Sequence, residues 1–171
     1  YDMIVSLSAN LRYTIKGGEL VRLQEELDYV DRYILLQKTR LGGRLEVTKK
    51  INPKVNLAVI PKISIQMLVE NAIIHGMPEN GAVLHIIIRV CMENNRLLIS
   101  VYDDGKGILP EKVKELNDIF SGKSADTGNS IGLPNLASRL KILYQGEAGL
   151  FLESQGDQFT EVKMELPIRK R

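Results

Sequence analysis

Glu70, Asn71 and His75 are the polar side chains of an otherwise apolar stretch at 67–76, MLVENAIIHG. A helix that apolar does not bury a carboxylate and an amide freely, because each unsatisfied polar group in a core costs about 1–3 kcal/mol. Asn71 and His75 stand one turn apart on one face, so the spacing predicts a polar edge turned toward a pocket. The same residues also fit a blander arrangement, with Asn71 capping a local turn and His75 hydrogen-bonded near a helix end that Gly76 terminates.

Two glycine-bearing segments follow. In Asp103-Asp104-Gly105-Lys106-Gly107-Ile108 a strand feeds two glycines one residue apart. Glycine there permits positive φ and lets a flat ligand lie against bare backbone, although an Asp-Gly turn after a strand is also ordinary. Gly128-Asn129-Ser130-Ile131-Gly132-Leu133 opens a helix. The free N–H groups and the dipole of a helix start suit a phosphate chain, and a glycine-rich helix start by itself is a weak signal.

The elements that must position these residues are legible from periodicity. Apolar residues Ile4, Leu7, Leu11 and Ile15 predict an opening helix closed by Gly17-Gly18. A second helix is predicted over 19–41 from Leu20, Leu23, Leu27, Val30 and Ile34, with Arg22, Glu25, Glu26, Asp31 and Lys38 mainly on its wet side. A strand at 45–51, a loop bracketed by Pro53 and Pro61, and a buried helix at 63–75 come next. Runs at 83–90 and 97–102 around Glu93-Asn94-Asn95-Arg96 predict an antiparallel hairpin. A short helix at 110–120, a polar loop at 121–130, a helix at 133–144, and strands at 149–153 and 160–166 joined through Gln155-Gly156-Asp157 complete the chain. This order predicts an α+β fold, a mixed and mostly antiparallel sheet covered on one face by helices.

Bulk properties narrow the function classes. The chain has 171 residues, 44% hydrophobic and 26% charged, which is the balance of one folded domain with room for an appended element. A net charge of +2 with both signs interspersed gives no footprint for nucleic acid. Cys91, the one cysteine, has no internal disulfide partner and sits in an apolar run, where a buried inert thiol and a reducing compartment are the expectation. No apolar run is long enough to span a bilayer. Because the chain opens on Tyr1 with uncapped helical spacing, it reads as a cut fragment.

Taken together, in order and spacing, the three segments resemble the N, G1 and G2 boxes of the GHKL ATPase superfamily. They are most similar to those of the LytS/YesM-type sensor histidine kinases. The resemblance covers nearly the whole chain, through YVDRYILLQKTR at 29–40, VENAIIHG at 69–76, DDGKGI at 103–108 and IGLPNLASRLKILY at 131–144. It implies a Bergerat-type two-layer α/β sandwich at 42–171 that binds ATP with Mg²⁺. Residues 1–41 would then be the C-terminal part of a helical dimerisation and phosphoacceptor region.

By this resemblance Asn71 ligates Mg²⁺, Asp103 accepts a hydrogen bond from the adenine amino group, and Gly105, Gly107 and Ile108 border the base. Gly128, Ser130, Ile131, Gly132 and Leu133 bend around the triphosphate, His75 reaches a phosphate or the ribose, and Thr160 lies beneath the adenine. Glu70 matches a frequent family glutamate and is given an orienting role in catalysis. Two positions depart from the pattern. Ser130 stands where the middle G2 glycine is usual, and Phe159 where a glycine precedes the threonine, and both are expected to narrow the site or to weaken nucleotide affinity. Asp104 replaces a commoner Asn and is expected to point away from the base.

The implied activity is transfer of the ATP γ-phosphate to a histidine. His75 belongs to the N box and His85 to a predicted strand, so the acceptor is expected before Tyr1, on the dimerisation helices. The implied partners are that helix, a homodimer mate and a response regulator. The domain is expected in the cytoplasm of a membrane-anchored parent. A degenerate nucleotide-binding signalling module and another GHKL ATPase are the competing readings.

Overall fold

The computed structural model describes residues 18–55, 57–125 and 132–168. The expected opening helix, together with Gly128, Ser130 and Ile131, lies outside the described residues.

Strict alternation builds the sheet. In β4 (Leu84–Glu93) the residues Leu84, Ile86, Ile88 and Val90 are sealed from solvent, while His85, Ile87 and Arg89 take the other face. The same period two runs through β5 (Arg96–Asp103), β6 (Gly149–Gln155) and β7 (Phe159–Pro167). With β2 (Leu45–Ile51) these make a five-stranded sheet of order β2-β4-β5-β7-β6. The β2–β4 pair is parallel and the other three pairs are antiparallel, so the sheet is mixed and mostly antiparallel. Asn94 and Asn95, both at positive φ, turn the β4–β5 hairpin, a conformation that asparagine tolerates.

Helices cover the inner face: α1 (Leu23–Leu41), α2 (Ser64–Gly76), α3 (Pro110–Ser121) and α4 (Gly132–Leu143). Gly42 closes α1 at φ 57, its N–H donating to the Lys38 carbonyl, and α3 carries Pro110 in its first turn. Leu23, Leu27, Val30, Tyr33 and Ile34 of α1 belong to the same core as the sheet and the other helices.

Two expectations for this region are corrected. Residues 20–22 are not helical: they form β1 (Leu20–Arg22), paired antiparallel with β3 (Val59–Pro61), with Val21 opposite Ile60. The supposed loop between Pro53 and Pro61 thus holds a strand, preceded by a 3-10 turn at Pro53–Val55. Helical spacing in Leu20 and Leu23 is overridden by a partner some forty residues away. Second, Glu26 is not on the wet side of α1 but fully buried. Its carboxylate accepts the backbone N–H groups of Ile63 (2.8 Å), Ile65 (3.0 Å) and Gln66 (3.3 Å). Those are the donors that the start of α2 leaves free, and Ile63, at φ 65, caps none of them with its own side chain. The carboxylate of one helix therefore caps the next.

Cys91 is half-buried on the sheet face away from the helices, and burial together with Glu93 pushes its thiol pKa up, which leaves it a poor nucleophile.

Candidate functional site

α2 has two faces. Ile65, Leu68, Val69, Ala72 and Ile73 are at most 2% exposed and pack on the sheet side. Met67, Glu70, Asn71, Ile74 and His75, spaced by three and four residues, form one wall of a cavity of about 820 Å³. The polar residues of the apolar stretch thus share the stripe that opens on the cavity. Facing them are Lys106, Gly107 and Ile108, Lys112 and Leu116 of α3, Gly132, Leu133 and Pro134 of α4, and Leu152 of β6.

Asp103, Gly105 and Thr160 do not reach this wall. Asp103, at the end of β5, and Thr160, near the start of β7, are direct cross-strand partners on the helix-covered face, 2% and 5% exposed. Burial pushes the Asp103 carboxyl up to about 7; the Gly105 N–H, donating at 3.1 Å to Oδ1, pulls the other way, and the Asp104 charge adds to the rise. Beyond the Gly105 N–H, a carboxylate so poorly solvated has acceptor capacity to spare, and an incoming amino group would use it.

Gly105 and Gly107 also have a packing role within the fold. A Cβ on Gly105 would stand 2.1 Å from the Gly76 carbonyl oxygen, and one on Gly107, at φ +63, would stand 2.0 Å from the Gln155 carbonyl oxygen. Bare backbone at these positions lets the loop lie on the end of α2 and on the β6–β7 turn, rather than only leaving room for a ligand. Lys106 completes the seam, its N–H donating to Gly76 O at 3.1 Å and its carbonyl accepting from Asp157 N–H at 2.7 Å. Gly76, read in the sequence only as a helix terminator, has a packing role: a Cβ there would stand 2.6 Å from Asp103 Oδ1. By contrast, a Cβ on Gly132 meets nothing within 4 Å. Gly105→Ala should therefore cost about 3 kcal/mol or more, lowering the melting temperature by at least about 6 °C, while Gly132→Ala should leave it nearly unchanged. Thermal unfolding followed by circular dichroism checks both.

Phe159 does not narrow the site. Alternation along β7 puts its side chain on the face opposite Thr160, where it stacks on Tyr102 with ring centroids 5.7 Å apart. Asp104 likewise turns outward, its carboxylate accepting from His85 N–H at 2.8 Å and meeting the His85 ring at Nδ1, 2.7 Å away. His85 is exposed on that outer face, with Nε2 3.6 Å from Glu46, and takes no part in the cavity.

Sequence reasoning missed Met67, Ile74, Lys106, Lys112, Leu116, Pro134 and Leu152 of the wall. The helical period through Asn71 would have found Met67 and Ile74. The rest come from separate segments and carry no local signal.

The sequence and the fold have relatives. The family described as "Histidine kinase-, DNA gyrase B-, and HSP90-like ATPase" matches residues 61–170, and the family described as "Histidine kinase" matches residues 1–45. Sensor protein LytS of Bacillus subtilis (strain 168) is 28% identical over 170 residues, covering 98% of this chain and 28% of that protein. Sensor histidine kinase YpdA of Escherichia coli (strain K12) is 38% identical over 147 residues, covering 84% of this chain and 25% of that protein. The chain thus spans between a quarter and a third of the length of these relatives. Among solved structures, the nucleotide-free catalytic domain of histidine kinase ThkA superposes with a TM-score of 0.61 at 18% identity, over 89% of this chain and 96% of that one. The histidine kinase domain of the Erythrobacter litoralis blue-light activated kinase gives 0.54 at 22% identity, over 95% and 75%. With more than half its residues matched, the chain belongs to the histidine kinase-, DNA gyrase B- and HSP90-like ATPase family and has the fold of a histidine kinase catalytic domain.

Proposed function

We propose that the cavity holds Mg·ATP and that the parent protein transfers the γ-phosphate to a histidine upstream of these residues. The observation that carries this reading is the polar stripe of α2, Glu70, Asn71 and His75, opening on a cavity of about 820 Å³ whose neighbouring strand end bears a buried carboxyl at Asp103. The adenine amino group would donate to Asp103 beside Thr160, and the bare backbone of Gly107 with Ile108 would flank the base. The segment 128–133, whose last two residues begin α4, would take the phosphates.

The donor set fits magnesium. Asn71 offers a neutral oxygen, and Mg²⁺ keeps several waters and leans on substrate phosphates rather than on an all-protein cage. Among the described residues no group of three or more His, Cys, Asp or Glu side chains is placed to hold a metal. When bound, the ion would neutralise charge on the transferring phosphoryl group. Asn71 would hold it, His75 would orient a phosphate or the ribose, and Glu70 would orient the reacting groups. The acceptor imidazole would form the new N–P bond as the bond to the ADP oxygen breaks.

Residues 1–41 are proposed as the end of a helical dimerisation region and 42–171 as the ATP-binding domain, with α1 packed on the core as the joint between them. A homodimer mate, a response regulator and a cytoplasmic position under a membrane-anchored sensor belong to the same proposal. Among the described residues no helix is long and apolar enough to cross a membrane.

The decisive experiment supplies the acceptor helices, fused or in trans, with γ-labelled ATP. Label on histidine supports the proposal. Binding without transfer would make the chain a nucleotide-responsive module.

The raised pKa of Asp103 gives a pH signature. Its neutral form favours the fold, a contribution complete below the ordinary value of 3.8 and lost as pH rises through about 7. An amino donor favours the carboxylate, so ATP binding near pH 6 should release up to about one proton, and none well above 7. Titration in buffers of different ionisation enthalpy measures this release, and Asp103→Asn should abolish it.

A further inference from the structure

Three hydrogen bonds meet at Ser154 of β6, and the chemistry of each partner fixes its direction. The Ile108 N–H, 2.7 Å from Ser154 Oγ, only donates, and the Phe159 carbonyl, also at 2.7 Å, only accepts. Thr160 Oγ1, 3.1 Å away, could do either. Two oxygens 2.7 Å apart with no hydrogen between them repel, so the single Ser154 hydrogen goes to Phe159. Its lone pairs then serve Ile108 N–H and Thr160 O–H. Thr160 is the donor in that contact, and its hydrogen is spent.

Thr160 therefore has only lone pairs left to offer, and its cross-strand partner Asp103, when ionised, likewise offers only lone pairs. The same serine pins the N–H of Ile108, which lies on the cavity wall. We propose that Ser154 is a specificity-determining positioning residue. By consuming the Thr160 hydrogen it makes the Asp103–Thr160 pair an all-acceptor surface, which admits a base with an exocyclic amino group and turns away one with a carbonyl there. This rests on the reading that the base lies against Asp103. Ser154 itself touches no ligand and acts through Thr160.

The test compares Mg·ATP with Mg·ITP, whose bases carry an amino group and a carbonyl at the same position, by calorimetric titration of the full chain at about pH 8, where Asp103 is ionised. Wild type should prefer ATP. Ser154→Ala frees the Thr160 hydroxyl to donate to a carbonyl and should narrow the ATP-to-ITP ratio by up to about tenfold. Ser154→Thr, which returns the hydroxyl, should restore the ratio. In a Thr160→Val background, Ser154→Ala should not change the ratio further. Equal weakening of both nucleotides by Ser154→Ala, or an unchanged shift in the Thr160→Val background, would overturn the proposal. Should the alanine variant fail to fold, Ser154→Cys, whose thiol is a poor donor and acceptor, must narrow the ratio instead. Absence of ATP binding by wild type is a separate outcome that overturns the base-site reading itself.

Discussion

Replacing Asn71 with alanine should cut phosphotransfer to a supplied acceptor histidine by at least about a hundredfold, while adenosine binds as before. Asn71 sits half-buried on the wet face of α2, part of the cavity wall, so the substitution removes the proposed oxygen ligand without opening the core. The cost falls on the step in which phosphoryl charge moves, because a mispositioned ion no longer offsets that charge. Stability should shift by no more than about 0.5 kcal/mol, as at other sites away from the core. Single-turnover transfer at saturating ATP measures the first effect, and adenosine titration separates it from loss of the base site. Transfer by the alanine variant at wild-type rate would remove Asn71 from the metal.

The largest stability loss is expected at Glu26. Truncation to alanine would strand the buried N–H of Ile65 and the part-buried N–H groups of Ile63 and Gln66 and leave a void between α1 and α2. The expected cost is about 3–5 kcal/mol. Glu26→Gln keeps one acceptor oxygen and should fall between. Because α2 carries Glu70, Asn71 and His75, fraying of its first turns should also weaken ATP binding, more so as temperature rises. Chemical denaturation of the three proteins checks the order, and equal stability of Glu26→Ala and wild type would refute the trans-cap.

Much of this arrangement was legible in the sequence, and the exceptions share a physical cause. The polar stripe of α2 could be read because helical period and burial are local properties. The β4–β5 hairpin could be read because alternation and the Asn94-Asn95 turn are local too. β1 could not, since Leu20 to Arg22 is a strand only by virtue of its partner at Val59–Pro61. Glu26 looked like a wet-face residue because its partners lie 37 to 40 positions away. Gly105 and Gly107 were legible as constrained positions, but the backbone that constrains them, at Gly76 and Gln155, was not. Phe159 looked obstructive until strand alternation put its side chain behind the sheet. Ser154 gave no signal, because its role exists only where three separate groups converge.

The proposed adenine site on Asp103 is tested by calorimetric titration of the wild-type chain with Mg·ATP and Mg·GTP, repeated on Asp103→Ala. A carbonyl in place of the amino group would set two acceptors face to face, so ATP should bind at least about tenfold more tightly than GTP, and the alanine variant should lose that preference. ATP and GTP binding alike, or an ATP preference that survives in Asp103→Ala, would rule out base recognition by Asp103.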